Sequence, residues 1–317
     1  MKTNFHHIKA TLLATAVAFS LTACEDFFNE KPYGQLTTEG FFSNKEDLAA
    51  SLNALYSVVA TSQAQNNYCG TNFLAGDDLS THPASNKQPL REHDQYNVTD
   101  NNSWLVSMWE QRYLVIKAAN FIINNADRTP DTSKEEITRA IAQAHYWRAY
   151  SYFYLVTTWG AVPVMLEEEI NYNATLTPVE EVYKLILSDL KIAEAGCPVM
   201  YDSEPYARNG VNIAVSQAAV KATMAYVYMC MAGWPLNKGA EYYKLAADKA
   251  EEVINGVENG TYYYRLLDEY NQVYSVQWSA ANPEVLLGIY YNRDRTPQMT
   301  PLADFLLDQK QAGWGDT

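Results

Sequence analysis

Apolar residues recur along most of the chain with the period of an α-helix. Val179, Val182, Tyr183, Ile186, Leu187, Leu190 and Ala193 fall on one helical face. So do Leu48, Leu52, Leu55, Tyr56 and Val59, and again Tyr243, Ala246, Ala247, Ala250, Val253 and Ile254 before Gly256. Polar caps bracket these stripes. Ser43 with Glu46, Ser133 with Glu136 and Thr177 with Glu180 each put a hydroxyl at a cap and a glutamate three residues on, so each group satisfies the other's orphan backbone donor. Pro178 stands at a first helical position, where a missing N–H costs nothing, and Gly196 followed by Pro198 stops the same helix. The pattern predicts helices over 43–60, 103–126, 133–159, 178–195, 213–232 and 241–255, with short β-rich pieces over 161–166 and 285–291.

Alanines at 214, 218, 219, 222 and 225 let a neighbouring helix approach the fifth of these closely. Antiparallel pairs with small and aromatic knobs at their contacts read as an all-α fold of tetratricopeptide-like pairs forming an α/α superhelix, although no strict repeat period is visible. The polar segment 70–102 is too long for a turn, and ligand-contacting loops belong there.

The first 23 residues follow another pattern. Lys2 and Lys9 precede an apolar run from Ala10 to Leu21, too short to cross a bilayer. It closes on Leu21-Thr22-Ala23-Cys24, which resembles the lipobox of bacterial lipoproteins, where the cysteine thiol takes a diacylglycerol. Two or three acyl chains, at about 0.8 kcal/mol per buried CH2, hold a protein on a membrane where one chain is marginal. The expected organisation is a signal peptide over 1–23, a tether over 24–42 and a helical domain over 43–317, attached to the membrane by the lipid alone.

Charge narrows the partners. With 23 Lys+Arg against 37 Asp+Glu the formal charge is −14, which repels phosphate backbones and argues against nucleic acid. Hydrophobic residues at 48% and charged residues at 19% mark a globular chain. Tyrosine (24) outnumbers Phe (10) and Trp (7) together, so much of the aromatic surface carries a hydroxyl and suits half-wet sites. Beyond Cys24, the thiols Cys69, Cys197 and Cys230 are odd in number and read as core cysteines.

No glycine-rich phosphate loop, paired-cysteine motif, His-Glu-x-x-His or Gly-x-Ser-x-Gly occurs. His145 lies among helical core positions and reads as buried structure. His93-Asp94 with Asp77-Asp78 matches no metal-ligand spacing, and neither metal nor cofactor is expected. The acidic runs Asp77-Asp78, Glu167-Glu168-Glu169 and Glu251-Glu252 suit a solvated face better than two carboxylates opposed across a sugar, so no enzyme is read here. Binding fits better. A sugar stacks its C–H face on an aromatic ring and bonds its hydroxyls to Asp, Asn and Arg. The loop-borne candidates are Asp78, Arg91, Tyr96 and Asn101, with Trp278, Tyr291 and Trp314 later; Trp278, between Gln277 and Ser279, is the ring best placed for exposure. Trp104, Trp109 and Tyr113 lie near helical spacing and read as helix core, and the rings over 150–154 read as packing.

Several segments together are similar to one family, the SusD/RagB nutrient-binding lipoproteins of Bacteroidetes. They are the start Cys24-Glu-Asp-Phe-Phe-Asn-Glu-Lys-Pro-Tyr with Gly40-Phe-Phe and Ala54-Leu-Tyr56, then Trp109-Glu-Gln-Arg-Tyr through Ala-Ala-Asn120. The most specific is Ala142-Gln-Ala-His-Tyr-Trp-Arg148 through Trp-Gly160-Ala-Val-Pro163, followed by Pro178-Val-Glu-Glu-Val-Tyr through Ser-Asp189-Leu and Ala219-Val-Lys-Ala through Tyr228. The resemblance implies a non-catalytic lipoprotein of the outer membrane, exposed on the cell surface. Its implied role is to capture oligosaccharide or peptide and pass it to a SusC-like TonB-dependent transporter. Glu25-Asp26 resembles the surface-export signal of such lipoproteins. Asn120 and Arg148 match motif positions that the resemblance makes structural; ligand residues vary within the family and are not carried over. The family pattern continues past Thr317, so the resemblance also implies a chain incomplete at its C-terminus. Two alternatives are a solenoid lid subunit with no ligand site of its own in this stretch, and a glycoside hydrolase.

Overall fold

A computed structural model describes residues 40–63, 76, 81, 88–167, 171–275 and 281–289. Seven α-helices lie among the described residues: α1 Lys45–Ser62, α2 Gln88–Asp94, α3 Ser103–Asn125, α4 Lys134–Trp159, α5 Val179–Gly196, α6 Gln217–Ala232 and α7 Ala240–Glu258. All belong to the unit Phe42–Thr317; of the unit Met1–Phe41 only Gly40 and Phe41 are described. The helices pack on their neighbours in chain order, α1 on α3, α3 on α4, α4 on α5, α5 on α6 and α6 on α7. That nearest-neighbour stacking is the all-α, tetratricopeptide-like succession expected from the pattern.

α4 is the central helix. Positions 142–149 are all buried, so it has no solvent stripe there. Its start is the predicted capping box: the Ser133 hydroxyl accepts from the Glu136 N–H, and the Glu136 carboxylate accepts from the Ser133 N–H. Gly160, at φ +77°, ends it. The other two boxes differ. α1 is capped one residue later, by Asn44, whose Oδ1 accepts from the Asp47 N–H while the Asp47 carboxylate accepts from Ser43. Thr177 is drawn into a two-residue bridge, Leu176–Thr177 (β2) against Val162–Pro163 (β1), leaving α5 to begin after Pro178 with no side-chain cap.

Three further departures shape the molecule. Residues 161–166 form only the two-residue β1, and 285–289 form no strand. A hairpin of Ala207–Arg208 (β3) and Val211–Asn212 (β4) turns at Asn209-Gly210, both at positive φ, and displaces the start of α6 to Gln217. Asn-Gly between short strands is the sequence signal of such a turn, because both central residues tolerate positive φ. Gly256 does not stop α7. It lies inside the helix, buried under the Tyr262 ring, and Gly260 at φ +79° follows the end.

Candidate functional site

A buried polar knot sets the geometry around α4. Arg148 donates to both carboxylate oxygens of Asp189 on α5, at 2.8 Å each, and to Asn120 Oδ1 on α3 at 2.9 Å. His145 Nδ1 lies 2.7 Å from the same carboxylate. Burial works to raise the Asp189 carboxyl, but hydrogen bonds from Arg148 and His145 outweigh it and hold it below its ordinary value. Asn120 in turn donates to the Met165 and Glu167 carbonyls, so three helices and the segment after β1 are tied at one point. The structural roles expected for Asn120, Arg148 and His145 hold.

Alternate helices of the stack, α4 and α6, face each other across an open groove of about 820 Å3. Tyr146, Trp147, Tyr150, Phe153, Tyr154, Thr157 and Thr158 supply one wall, in the i, i+4, i+7 rows of a single helix face. Ala219, Ala222, Thr223 and Tyr226 supply the other, and the two small alanines leave room at its floor. The rings are contiguous. Trp147 meets Tyr150 edge-on at 5.8 Å, Tyr146 stacks on Tyr150 at 6.2 Å, and Phe153 meets Tyr226 edge-on at 5.4 Å across the helices. Tyr146 and Thr223 share a hydroxyl hydrogen bond of 3.1 Å over the same gap. Burial pushes the Tyr146 phenol above its ordinary value, so it stays protonated and able to donate.

Residues 284–289 line a further side of the groove. Asn212, fully buried, accepts from the Tyr201 N–H, donates to Tyr264 Oη, and its carbonyl receives the Gly288 N–H at 2.7 Å. Tyr264 Oη donates to the Leu286 carbonyl. The hairpin missed from the sequence thereby fixes Val285, Leu286, Leu287 and Ile289 against the groove. Tyr150 packs on Tyr146 and Trp147 and Tyr154 packs under Arg112, as their reading as packing requires, and both are half-buried and also line this surface; Tyr152 and Phe153 are buried. Their signal was available: aromatic and threonine residues share one helical face from 146 to 158.

Of the loop candidates, Arg91 is half-buried on the unforeseen helix α2, Tyr96 is 74% exposed at φ +52°, and Asn101 is exposed before the α3 cap Asn102. None of the three lines the groove. Asp78, Trp278, Tyr291, Trp314, Cys24 and Cys69 lie outside the described residues. Cys197 and Cys230 are free thiols; burial pushes Cys197 up to about 12. Glu252 sits in an ion-pair cluster with Lys221 and Lys249. Among the described residues no group of three His, Cys, Asp or Glu is placed to hold a metal ion, and no helix is long and apolar enough to cross a membrane.

Residues 26–229 match the SusD-like family, described as starch-binding and associating with the outer membrane. The chain belongs to the SusD-like family. SusD-like protein P2 of Formosa agariphila is 28% identical over 279 residues, which cover 86% of this chain and 51% of that relative. This SusD-like chain thus spans about half the length of the curated relatives it matches. A SusD homologue from Bacteroides thetaiotaomicron superposes with a TM-score of 0.63 at 23% identity, over 75% of this chain and 44% of that one. A crystal structure with xylogluco-oligosaccharide superposes with a TM-score of 0.64 at 23% identity, over 83% and 50%. At these identities the two structures establish the fold.

Proposed function

We propose that this SusD-like chain serves at the outer cell surface as a non-catalytic glycan-binding protein, and that oligosaccharide lies in the groove between α4 and α6. The observation that carries this reading is the make-up of the groove. The half-buried Tyr150 ring and the exposed Tyr226 ring offer faces for the C–H side of a sugar over a buried bed of Tyr146, Trp147 and Phe153, while Thr157, Thr158, Thr223 and the tyrosine hydroxyls offer partners for its hydroxyls. The family's starch-binding description and a structural relative holding xylogluco-oligosaccharide support a sugar over other cargo. The reading extends to a lipid anchor at Cys24 and to delivery of the sugar into a SusC-like TonB-dependent transporter. Arg91, Tyr96 and Asn101, with Asp78, Trp278, Tyr291 and Trp314, are proposed as further ligand contacts.

Affinity electrophoresis in gels containing starch, laminarin or xyloglucan tests it. Retardation by at least one glycan is expected, weakened roughly fivefold by Tyr150→Ala and by Tyr226→Ala, since a lost ring contact removes about 1 kcal/mol. No retardation by any glycan would overturn the binding reading. Retardation that survives both changes but is lost in Tyr96→Ala would move the site to the loop. A second reading, that the chain chiefly docks the transporter, is favoured by Trp234, 85% exposed at the end of α6, with Tyr243 and Ile254 exposed on α7. Co-purification with the barrel in a chain that binds no glycan would select it.

A further inference from the structure

A second hollow, of about 510 Å3, lies between α3 and the segment that follows β1. Its volume falls within the roughly 300–1,000 Å3 of small-molecule sites. Trp109, Tyr113 and Leu114 from α3 face Pro163 and Met165. The wall opposite α3 is irregular backbone, yet it is held at nearly every carbonyl. Tyr113 Oη donates to Pro163 O at 2.7 Å, Asn120 to Met165 O and Glu167 O, and Asn124 to Leu166 O at 3.1 Å. Tyr152 Oη accepts the Met165 N–H and donates to its carbonyl. Asn120 is itself fixed by Arg148 and, through it, Asp189. A wall pinned this way is formed before any ligand arrives, and preorganisation lowers the cost of binding.

The same pins decide what fits. Met165 O, which accepts from both Asn120 and Tyr152, has no lone pair left for a sugar hydroxyl, and a sugar laid against Trp109, Leu114 and Ile116 would leave hydroxyls facing apolar side chains at a cost of about 1–3 kcal/mol each. An apolar body needs no such partners. At the rim stand two carboxylates, Glu110 and Glu167, and one ammonium, Lys117, all exposed and none in an ion pair with a described residue. The balance is negative, and the faces of Trp109 and Tyr113 also attract cations.

We propose that this hollow is a ligand site distinct from the groove, taking a compact ring-bearing apolar molecule that carries an ammonium group. Calorimetric titration of the full chain with tryptamine, indole and indole-3-acetate tests it. Tryptamine should bind roughly fivefold more tightly than indole-3-acetate, a ratio set by exposed ion-pair and cation–π contributions. Changing both Glu110→Gln and Glu167→Gln should bring that ratio towards one. Leu114→Arg, at a side chain 46% exposed, should block all three probes while the fold persists by circular dichroism. Tyr150→Ala, in the groove, should leave tryptamine binding unchanged, so failure of the glycan reading and failure of this one are separable. Equal affinity for tryptamine and indole-3-acetate, binding that survives Leu114→Arg, or no binding of any probe at millimolar concentration would each overturn it.

Discussion

A guanidinium as deep as that of Arg148 is stable in the core only because Asp189 and Asn120 receive its donors. Replacing Asp189 by Asn leaves that charge without its counter-ion, and the loss should be about 3 kcal/mol in urea unfolding; pairing it with Arg148→Met should recover much of it. The carboxyl of Asp189 is depressed in the folded chain relative to about 3.9 unfolded, so its contribution is complete above that value. It fades as pH falls through the lower folded value. The stability gap between the native chain and Asp189→Asn should therefore narrow as pH falls below about 4; a gap at pH 3 as wide as that at pH 5 would contradict the pairing. Arg148 and Asn120 were legible as structural from the motifs they sit in, and His145 from its helical neighbours. Their common partner was not, because Asp189 stands 41 residues from Arg148 and meets it only when α4 packs on α5.

At the scale of elements, two glycines mark where helices and rings come too close for a side chain. A Cβ on Gly196 would stand 2.7 Å from Ala142 Cβ on α4, and one on Gly256 would stand 2.3 Å from Tyr262 Cε2. Alanine is the better helix former by about 1 kcal/mol, yet forcing a methyl into filled space costs about 1–3 kcal/mol. Gly196→Ala and Gly256→Ala should each lower the midpoint of thermal unfolding, whereas a gain at either position would mean the contact yields. Local chemistry wrote the α4 start in the Ser133–Glu136 box; the Lys45 ammonium, brought from α1 by packing, joins the Ser133 groups in holding Glu136 at about 2. Thr177 shows the opposite case: a correct cap pattern lost to β1, because pairing with Val162 competes for the same backbone. The burial of α7 is likewise rotated from its apolar stripe. Tyr243, Ala247 and Ile254 are exposed, while Tyr242, Lys249 and Val257 are half-buried against the rest of the stack.

For the whole molecule, the ordered succession of helices places alternate members α4 and α6 across a groove, which neither could form alone. Attachment belongs to this scale too. If Cys24 carries acyl chains, radiolabelled palmitate should enter the protein in cells and be absent from Cys24→Ser; label persisting in that variant would remove the anchor from the account.

The helical class, the approximate span of the six long helices among the described residues, and the family were all written in the chain, because caps and apolar periods act over a few residues. The short hairpin at Asn209-Gly210 was written there as well, in a signal as local as the caps. Tertiary structure alone decided that Asn120, Arg148 and Asp189 converge and that the rings of α4 face those of α6. It also decided that the backbone after β1 stands rigid against α3. Each of these joins residues tens of positions apart, and only packing determines which distant side chains share a dry interior or an open wall.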